Sequence, residues 1–218
     1  MTSTVDSRPI FARVLARAAV LEERRGGAEH RRRLLAGLRG RVIELGAGSG
    51  VSFAHYPTTV TELVAVEPEA HLRAMAQDAA RGAPIPVRVV DGVADRLPAG
   101  DGEMDAGVVT AVLCSVEDPA GALRELIRVI RPGGELRFFE HVAARSPRLA
   151  LLQRALDATL WPRMMGGCHT TRDTEAAILA AGFEIEECDR FSFRAHVIGT
   201  PVAPRILGRA RRPAQALR

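Results

Sequence analysis

Short apolar runs alternate with helix-spaced stripes over the first two-thirds of the chain. Val42, Ile43 and Leu45 are too few for a helix and mostly branched, so they read as a buried strand. Residues 63–67, 87–90, 105–110 and 134–142 carry the same signature. Between them, 69–81 has helical spacing and stops at Gly82, Pro84 and Pro86. Asp118-Pro119 pairs an N-cap residue with a first-turn proline, and Arg131-Pro-Gly-Gly134 ends the helix that follows. Alternating strands and helices predict a parallel sheet covered on both faces.

The flanks break this rhythm. Residues 9–25 predict an amphipathic helix with Phe11, Val14, Leu15, Ala18 and Leu21 on one face; Gly26-Gly27 interrupts it, and 28–38 forms a second helix. Residues 146–165 form a Leu-rich helix followed by Trp161-Pro162, Met164-Met165 and Gly166-Gly167. Thr170-x-x-Asp173 matches a helix cap, and that helix ends at Gly182. Residues 183–193 and 195–203 alternate apolar and polar, which predicts a closing antiparallel pair.

The first strand runs into Gly46, Gly48 and Gly50, a turn in which backbone can approach a ligand closely. Strand, glycine turn and helix open a nucleotide-binding α/β fold. The dinucleotide fingerprint wants Gly or Ala where this chain has Val51. Glu44 would repel a pyrophosphate but suits an ammonium or a sulfonium. Glu67 lies 21 residues beyond Gly46, the offset of an acid that accepts ribose hydroxyls. Acid, glycine turn, acid therefore points to S-adenosylmethionine rather than a nicotinamide.

Composition adds limits. At 218 residues one domain suffices, and no stretch is apolar enough to span a membrane. We divide it into a helical cover (1–40), a cofactor-binding core (41–142), a substrate lid (143–170), a last helix and strand pair (171–203) and a basic tail (204–218). Cys114, Cys168 and Cys188 are odd in number and scattered, which fits a reducing cytoplasm rather than a disulfide framework. Both ends are rich in arginine around an acidic middle, so an anionic membrane surface is the runner-up partner to a small molecule. One Trp and one Tyr leave nucleic acid short of stacking platforms. Oligomeric state is not legible.

Residues 41–135 resemble a class I S-adenosylmethionine-dependent methyltransferase through Val42-Ile-Glu-Leu-Gly-Ala-Gly-Ser-Gly50, Glu67, Gly92-Val-Ala-Asp-Arg-Leu-Pro98 and Arg131-Pro-Gly-Gly134. The resemblance implies a Rossmann-like sheet of seven strands, the last antiparallel, with the cofactor across the carboxyl ends of the first, second and fourth. Glu44, Gly46, Ala47, Gly48, Glu67, Pro68, Thr110, Ala111 and Leu113 stand at those ends. The superfamily's adenine-binding acid falls at Val93, so the backbone of Gly92, Val93 and Ala94 is expected to read the base. His55-Tyr-Pro57, Leu113-Cys-Ser-Val116, Phe139-Glu-His-Val142, Gly167-Cys168 and Thr171-Arg172 are similar to a narrower group. That group holds eukaryotic thiol S-methyltransferases and bacterial proteins labelled phosphatidylethanolamine N-methyltransferase. Its eukaryotic members carry an apolar N-terminal anchor that this sequence lacks, which turns expectation away from a lipid acceptor.

Methyl transfer asks for alignment of donor and acceptor and for removal of the acceptor's proton. His141, at the carboxyl end of the fifth strand, is the expected base. An imidazole matches a thiol of pKa near 8.5 better than an alkyl amine near 10.4, whose ionisation costs about 4–5 kcal/mol at neutral pH. Tyr56, Trp161, Cys168, His169 and Arg172 are the expected acceptor-side residues, with no metal, since Cys168 and His169 lack further ligands nearby in sequence. S-methylation of a small molecule is the first expectation. N-methylation of a phospholipid or small amine, O-methylation of a natural product, and a cofactor-binding module without turnover are the alternatives.

Overall fold

The computed structural model describes residues 9–159, 161–195 and 197–214. Seven strands form one sheet in the order β3-β2-β1-β4-β5-β7-β6: β1 (Gly40–Leu45), β2 (Val60–Val66), β3 (Val87–Val90), β4 (Met104–Thr110), β5 (Ile130–His141), β6 (Glu184–Ser192) and β7 (Pro204–Arg211). The first five pair in parallel, and β7 runs antiparallel to both β5 and β6. The strand order reverses at β1 and β4, where α/β sheets open a ligand crevice.

Side-chain alternation divides the core between the two faces of the sheet. Ile43, Leu45, Val64 and Val109 pack against α4 (Pro119–Val129) and α7 (Thr174–Ala180). Val42, Leu63, Ala65 and Val108 pack against α2 (Ala28–Leu35) and α3 (Ala70–Ala80). Glu69 starts α3 by accepting the Leu72 N–H at 2.7 Å.

Three expectations are corrected. The closing strand is Pro204–Arg211, not 195–203, and it occupies the segment expected to be a basic tail. Residues Val197–Val202 form a 3-10 turn instead, and His196 lies outside the described residues. The arginines of β7 hid its character: Arg205 pairs with Glu22, and Arg209 with Glu186 and Glu187. At the last helix the cap is Asp173, which accepts the Ala176 N–H at 3.1 Å. Thr170 and Thr171 are held by Asp157 of α5 (Pro147–Asp157) instead. Lastly, α1 (Pro9–Glu22) buries Ala12 and Ala16 against Leu72, while Val14 and Leu15 remain exposed. Small residues on that face let α1 approach α3 closely; the side chain of Phe11 lies outside the described set.

Candidate active site

The glycine turn is built for clearance. A Cβ on Gly46 (φ +70°) would sit 2.4 Å from the Val112 side chain, so only glycine fits between β1 and the loop after β4. Around Gly48 (φ +57°) the reverse holds: a Cβ there meets nothing within 4 Å, which leaves open space for a ligand. The N–H groups of Gly46 and Ala47 both donate to the Val66 carbonyl, at 2.8 and 3.1 Å. This ties the turn to the end of β2.

Glu67 follows directly. Its carboxylate accepts the Gly48 N–H at 2.8 Å and the Glu69 N–H at 3.0 Å, and burial pushes its pKa up against those two donors. Pro68 stands next to it, half-buried, with its carbonyl taken by Arg73. Glu44 is placed differently from the sequence expectation. It is 1% exposed and accepts the Tyr56 hydroxyl at 3.1 Å, with Ser52 as a second partner. Burial raises its pKa to about 7. Tyr56, expected beside the acceptor, is equally buried and serves Glu44. This pair braces the turn from inside the core.

Across the crevice, β4 ends at Thr110 and the chain turns at Ala111, whose φ of +54° is the positive value among the described non-glycine residues. Glu140, fully buried on β5, holds that strained turn. Its carboxylate accepts the backbone N–H groups of Val112 (2.8 Å), Leu113 (3.1 Å) and Cys114 (3.4 Å). Nothing in the sequence marked Glu140 for this role except its alternation with His141. Gly92, Val93 and Ala94 follow β3, half-buried; a Cβ on Gly92 would press to 2.9 Å from Val66, and Val93 bridges to Arg96. Two hydroxyls, Ser49 Oγ in the glycine turn and Thr110 Oγ1 at the end of β4, are buried without a partner among the described residues. Open space at Gly48, an acid at the β2 end and unpaired hydroxyls at β1 and β4 fit a nucleoside with a polar tail.

Of the expected acceptor-side residues, Cys168, Arg172 and the backbone of His169 meet the expected base His141 beyond Ala111. His141 Nδ1 lies 3.5 Å from Cys114 Sγ and 3.8 Å from Cys168 Sγ. Cys114 belongs to the Leu113-Cys-Ser-Val116 motif, yet sequence reasoning gave it no task. Gly167 (φ +87°) brings the lid segment against this loop, since a Cβ there would sit 2.6 Å from the Ser115 carbonyl oxygen. His169 donates its backbone N–H to the Cys114 carbonyl at 2.8 Å. Arg172 donates to the Leu113 carbonyl, and burial lowers its pKa. The hydrogen bond from Cys114 pulls the Cys168 thiol down against the effect of burial. Cys114 is pushed well up by the same bond and by burial.

The lid leans on Gln153, which is buried, accepts the Ala144 N–H at 2.7 Å and donates to the carbonyls of Val142 and Pro201. Above it Leu151, Leu152, Met164 and Met165 stay exposed. Trp161, at the start of α6 (Trp161–Met164), is half-buried, and its Nε1 has no partner among the described residues; Leu160 lies outside them. Among the described residues no helix is long and apolar enough to cross a membrane.

A family profile described as a methyltransferase domain matches residues 43–138. The human thiol S-methyltransferase TMT1B is 34% identical over 183 residues, which cover 81% of this chain and 73% of that protein. The demethylmenaquinone methyltransferase of Mycolicibacterium vanbaalenii is 38% identical over 96 residues, 44% of this chain and 40% of its own length. An S-adenosylmethionine-dependent methyltransferase of Thermotoga maritima superposes with a TM-score of 0.68 at 20% identity, over 93% of this chain and 98% of that one. The TMT1B match covers most of the chain, whereas the quinone enzyme shares less than half of it. On the likeness to TMT1B and the sheet that carries the crevice, this chain belongs to the class I S-adenosylmethionine-dependent methyltransferases, in the group that includes TMT1B.

Proposed function

We propose that the protein methylates the sulfur of a small, largely apolar thiol. The observation that carries this reading is the convergence of His141, Cys114, Cys168 and Arg172 next to the Ala111 turn, on the acceptor side of the glycine crevice. When bound, S-adenosylmethionine supplies a methyl group on a sulfonium and departs as S-adenosylhomocysteine. Glu67, Gly48, Ser49 and Thr110 are the residues assigned to hold it, with Gly92, Val93 and Ala94 at the base and Glu44 as a brace. Gly46, Ala47, Pro68, Ala111 and Leu113 complete the wall by backbone.

The acceptor must lose its proton as its sulfur attacks. His141 is assigned to promote that loss, and Arg172 to balance the negative charge that builds on sulfur. A thiol is a few per cent ionised at neutral pH, so this help need only be modest; an amine would need about 4–5 kcal/mol. Leu151, Leu152, Met164, Met165 and Trp161 offer an adaptable apolar cover for such an acceptor. Three free cysteines suit a reducing compartment, and we assign the protein to the cytoplasm.

The test is a radiolabelled methyl-transfer panel of alkyl and aryl thiols, phenols and amines. Label transferred to thiols at least tenfold faster than to the others supports the reading. Transfer to amines of a phospholipid vesicle, with salt-sensitive vesicle binding, would replace it with the lipid alternative. No transfer to any acceptor, with cofactor still bound, would leave a binding module.

A further inference from the structure

Cys114, His141 and Cys168 come from three separate segments: the loop after β4, the end of β5 and the foot of the lid. Their donor atoms all lie within 4.8 Å of one another. The sulfur-to-nitrogen separations are 3.5 Å from Cys114 and 3.8 Å from Cys168 to Nδ1. Zinc binds thiolate sulfur at about 2.3 Å and imidazole nitrogen at about 2.0–2.1 Å, so a tetrahedral ion separates its sulfur and nitrogen ligands by roughly 3.6 Å. The two observed separations bracket that value.

The surroundings favour an ion over a casual contact. Both cysteines are buried, and their backbones are fixed. Glu140 accepts the Cys114 N–H, the Cys114 carbonyl accepts the His169 N–H, and Gly167 lets the lid foot close on Ser115. Such outer contacts hold ligands in place before an ion arrives. Two thiolates and one imidazole select a borderline-soft divalent metal over magnesium or calcium. Two negative sulfurs also neutralise a divalent cation, which suits a site whose two cysteines are buried while His141 is half-buried.

We propose that Cys114, His141 and Cys168 form a three-ligand zinc site whose fourth position takes the acceptor thiol. The role of the fourth position rests on the thiol reading above; the site itself does not. A thiol entering it forms a sulfur–zinc bond as its S–H bond breaks, and the proton leaves to solvent. The sulfur then takes the methyl group, the electron pair of the broken carbon–sulfur bond stays with the donor, and the neutral thioether product is released as a weaker ligand. His141 thus promotes ionisation by holding the ion that performs it.

The experiment titrates Co(II) into protein stripped of metal and kept reduced with a phosphine. One equivalent is expected to bind with sulfur-to-cobalt charge-transfer absorption and intense tetrahedral visible bands, both erased by zinc. Cys168→Ser and His141→Ala should lose the signal, while Cys188→Ser on β6 keeps it. Circular dichroism and S-adenosylhomocysteine binding identify variants that are still folded. No saturable uptake by the wild type, or equal loss in Cys188→Ser and Cys168→Ser, overturns the site. Adding 2-mercaptoethanol should shift the visible bands, and stripping should lower thiol methylation at least tenfold, with zinc restoring it. Thiol methylation undiminished in stripped protein overturns the ion's part in the reaction. Metal uptake with no methylation of any thiol overturns the thiol reading and leaves the site standing.

Discussion

Replacing Glu22 by glutamine removes one charge from the joint between α1 and the closing strand. Both carboxylate oxygens of Glu22 accept from Arg205, each at 2.9 Å, and Arg31 lies 3.7 Å away. Arg205 is 3% exposed, with its guanidinium 4.8 Å from the Phe139 ring centroid and 5.1 Å from that of Phe193. Burial alone would push Glu22 up, but the hydrogen bonds and charge of Arg205, with Arg31 behind it, outweigh burial and bring its pKa from 4.5 to about 2. At 1.36 kcal/mol per unit this shift corresponds to about 3.4 kcal/mol of folding stability at neutral pH. Removing one partner of a buried pair costs about 3–5 kcal/mol, in agreement.

The sign follows from the depressed pKa. The contribution is complete above the unfolded value of 4.5 and is lost as pH falls through the folded value near 2. About 1.4 kcal/mol of it should remain at pH 3. Urea unfolding of wild type and Glu22→Gln at pH 7, 5, 4 and 3 measures the gap directly. The variant should be about 3 kcal/mol less stable at pH 7, a fall in melting temperature of roughly 6–12 °C for a chain of this size. The gap should narrow in acid. Equal stability at pH 7, or a gap that stays constant down to pH 3, would refute the reasoning.

Other expectations concern the crevice. Glu44→Gln should flatten the pH profile: burial holds Glu44 near 7 in the folded chain, so wild type loses stability as pH rises from 4.5 through 7. The loss is on the order of 3 kcal/mol, and a variant with an unchanged slope between those values would contradict it. Glu67→Ala should weaken S-adenosylhomocysteine binding roughly 10–100-fold, equivalent to about 1–3 kcal/mol for a charged hydrogen-bond acceptor, as read by calorimetry. Gly46→Ala and Gly48→Ala should part company in thermal melts. The first drives a Cβ into Val112 and destabilises strongly; the second meets open space and costs only the strain of positive φ, about 1 kcal/mol. His141→Ala should lower turnover at least tenfold with cofactor affinity held; unchanged turnover in a steady-state assay removes His141 from the reaction.

The parallel half of the fold was legible because its signals are local. Strands buried on both faces read as unbroken apolar runs, and Pro84, Pro86 and the Arg131-Pro-Gly-Gly134 turn bounded the helices between them. The closing strand was not, because its pattern makes sense only with its partners. Ile206, Leu207 and Ala210 are buried in β7, but Arg205 and Arg211 flank them and Arg209 stands among them. Those charges are answered by Glu22 from α1 and by Glu186 and Glu187 from β6, and residues so far apart in sequence give a charge count no hint of pairing. A run of arginine without neighbouring acids then looks like a solvated tail.

The site divides along the same line. Gly46, Gly48 and Glu67 stand at the ends of β1 and β2, two parallel neighbours joined by a short connection. That connection holds a 3-10 turn at Phe53–His55 where the sequence predicts a helix, yet the spacing stays local, so sequence alone locates them. Glu44 lies on β1 too, but its direction is set by Tyr56 and Ser52, and these turn it into the core. The sulfur cluster is the extreme case. Cys114, His141 and Cys168 are 27 residues apart at each step, where recognisable metal motifs join two ligands within a few positions. Sequence proximity paired Cys168 with His169, whose backbone serves the scaffold. What brings Cys114 and His141 together is the parallel pairing of β4 with β5, which sets the carboxyl ends of the two strands side by side. Cys168 is added by the one glycine, Gly167, that lets the lid foot touch the β4 loop. A side chain at residue 167 would therefore separate the two sulfurs without altering any residue of the cluster, which makes that glycine as much a part of the site as the groups it brings together.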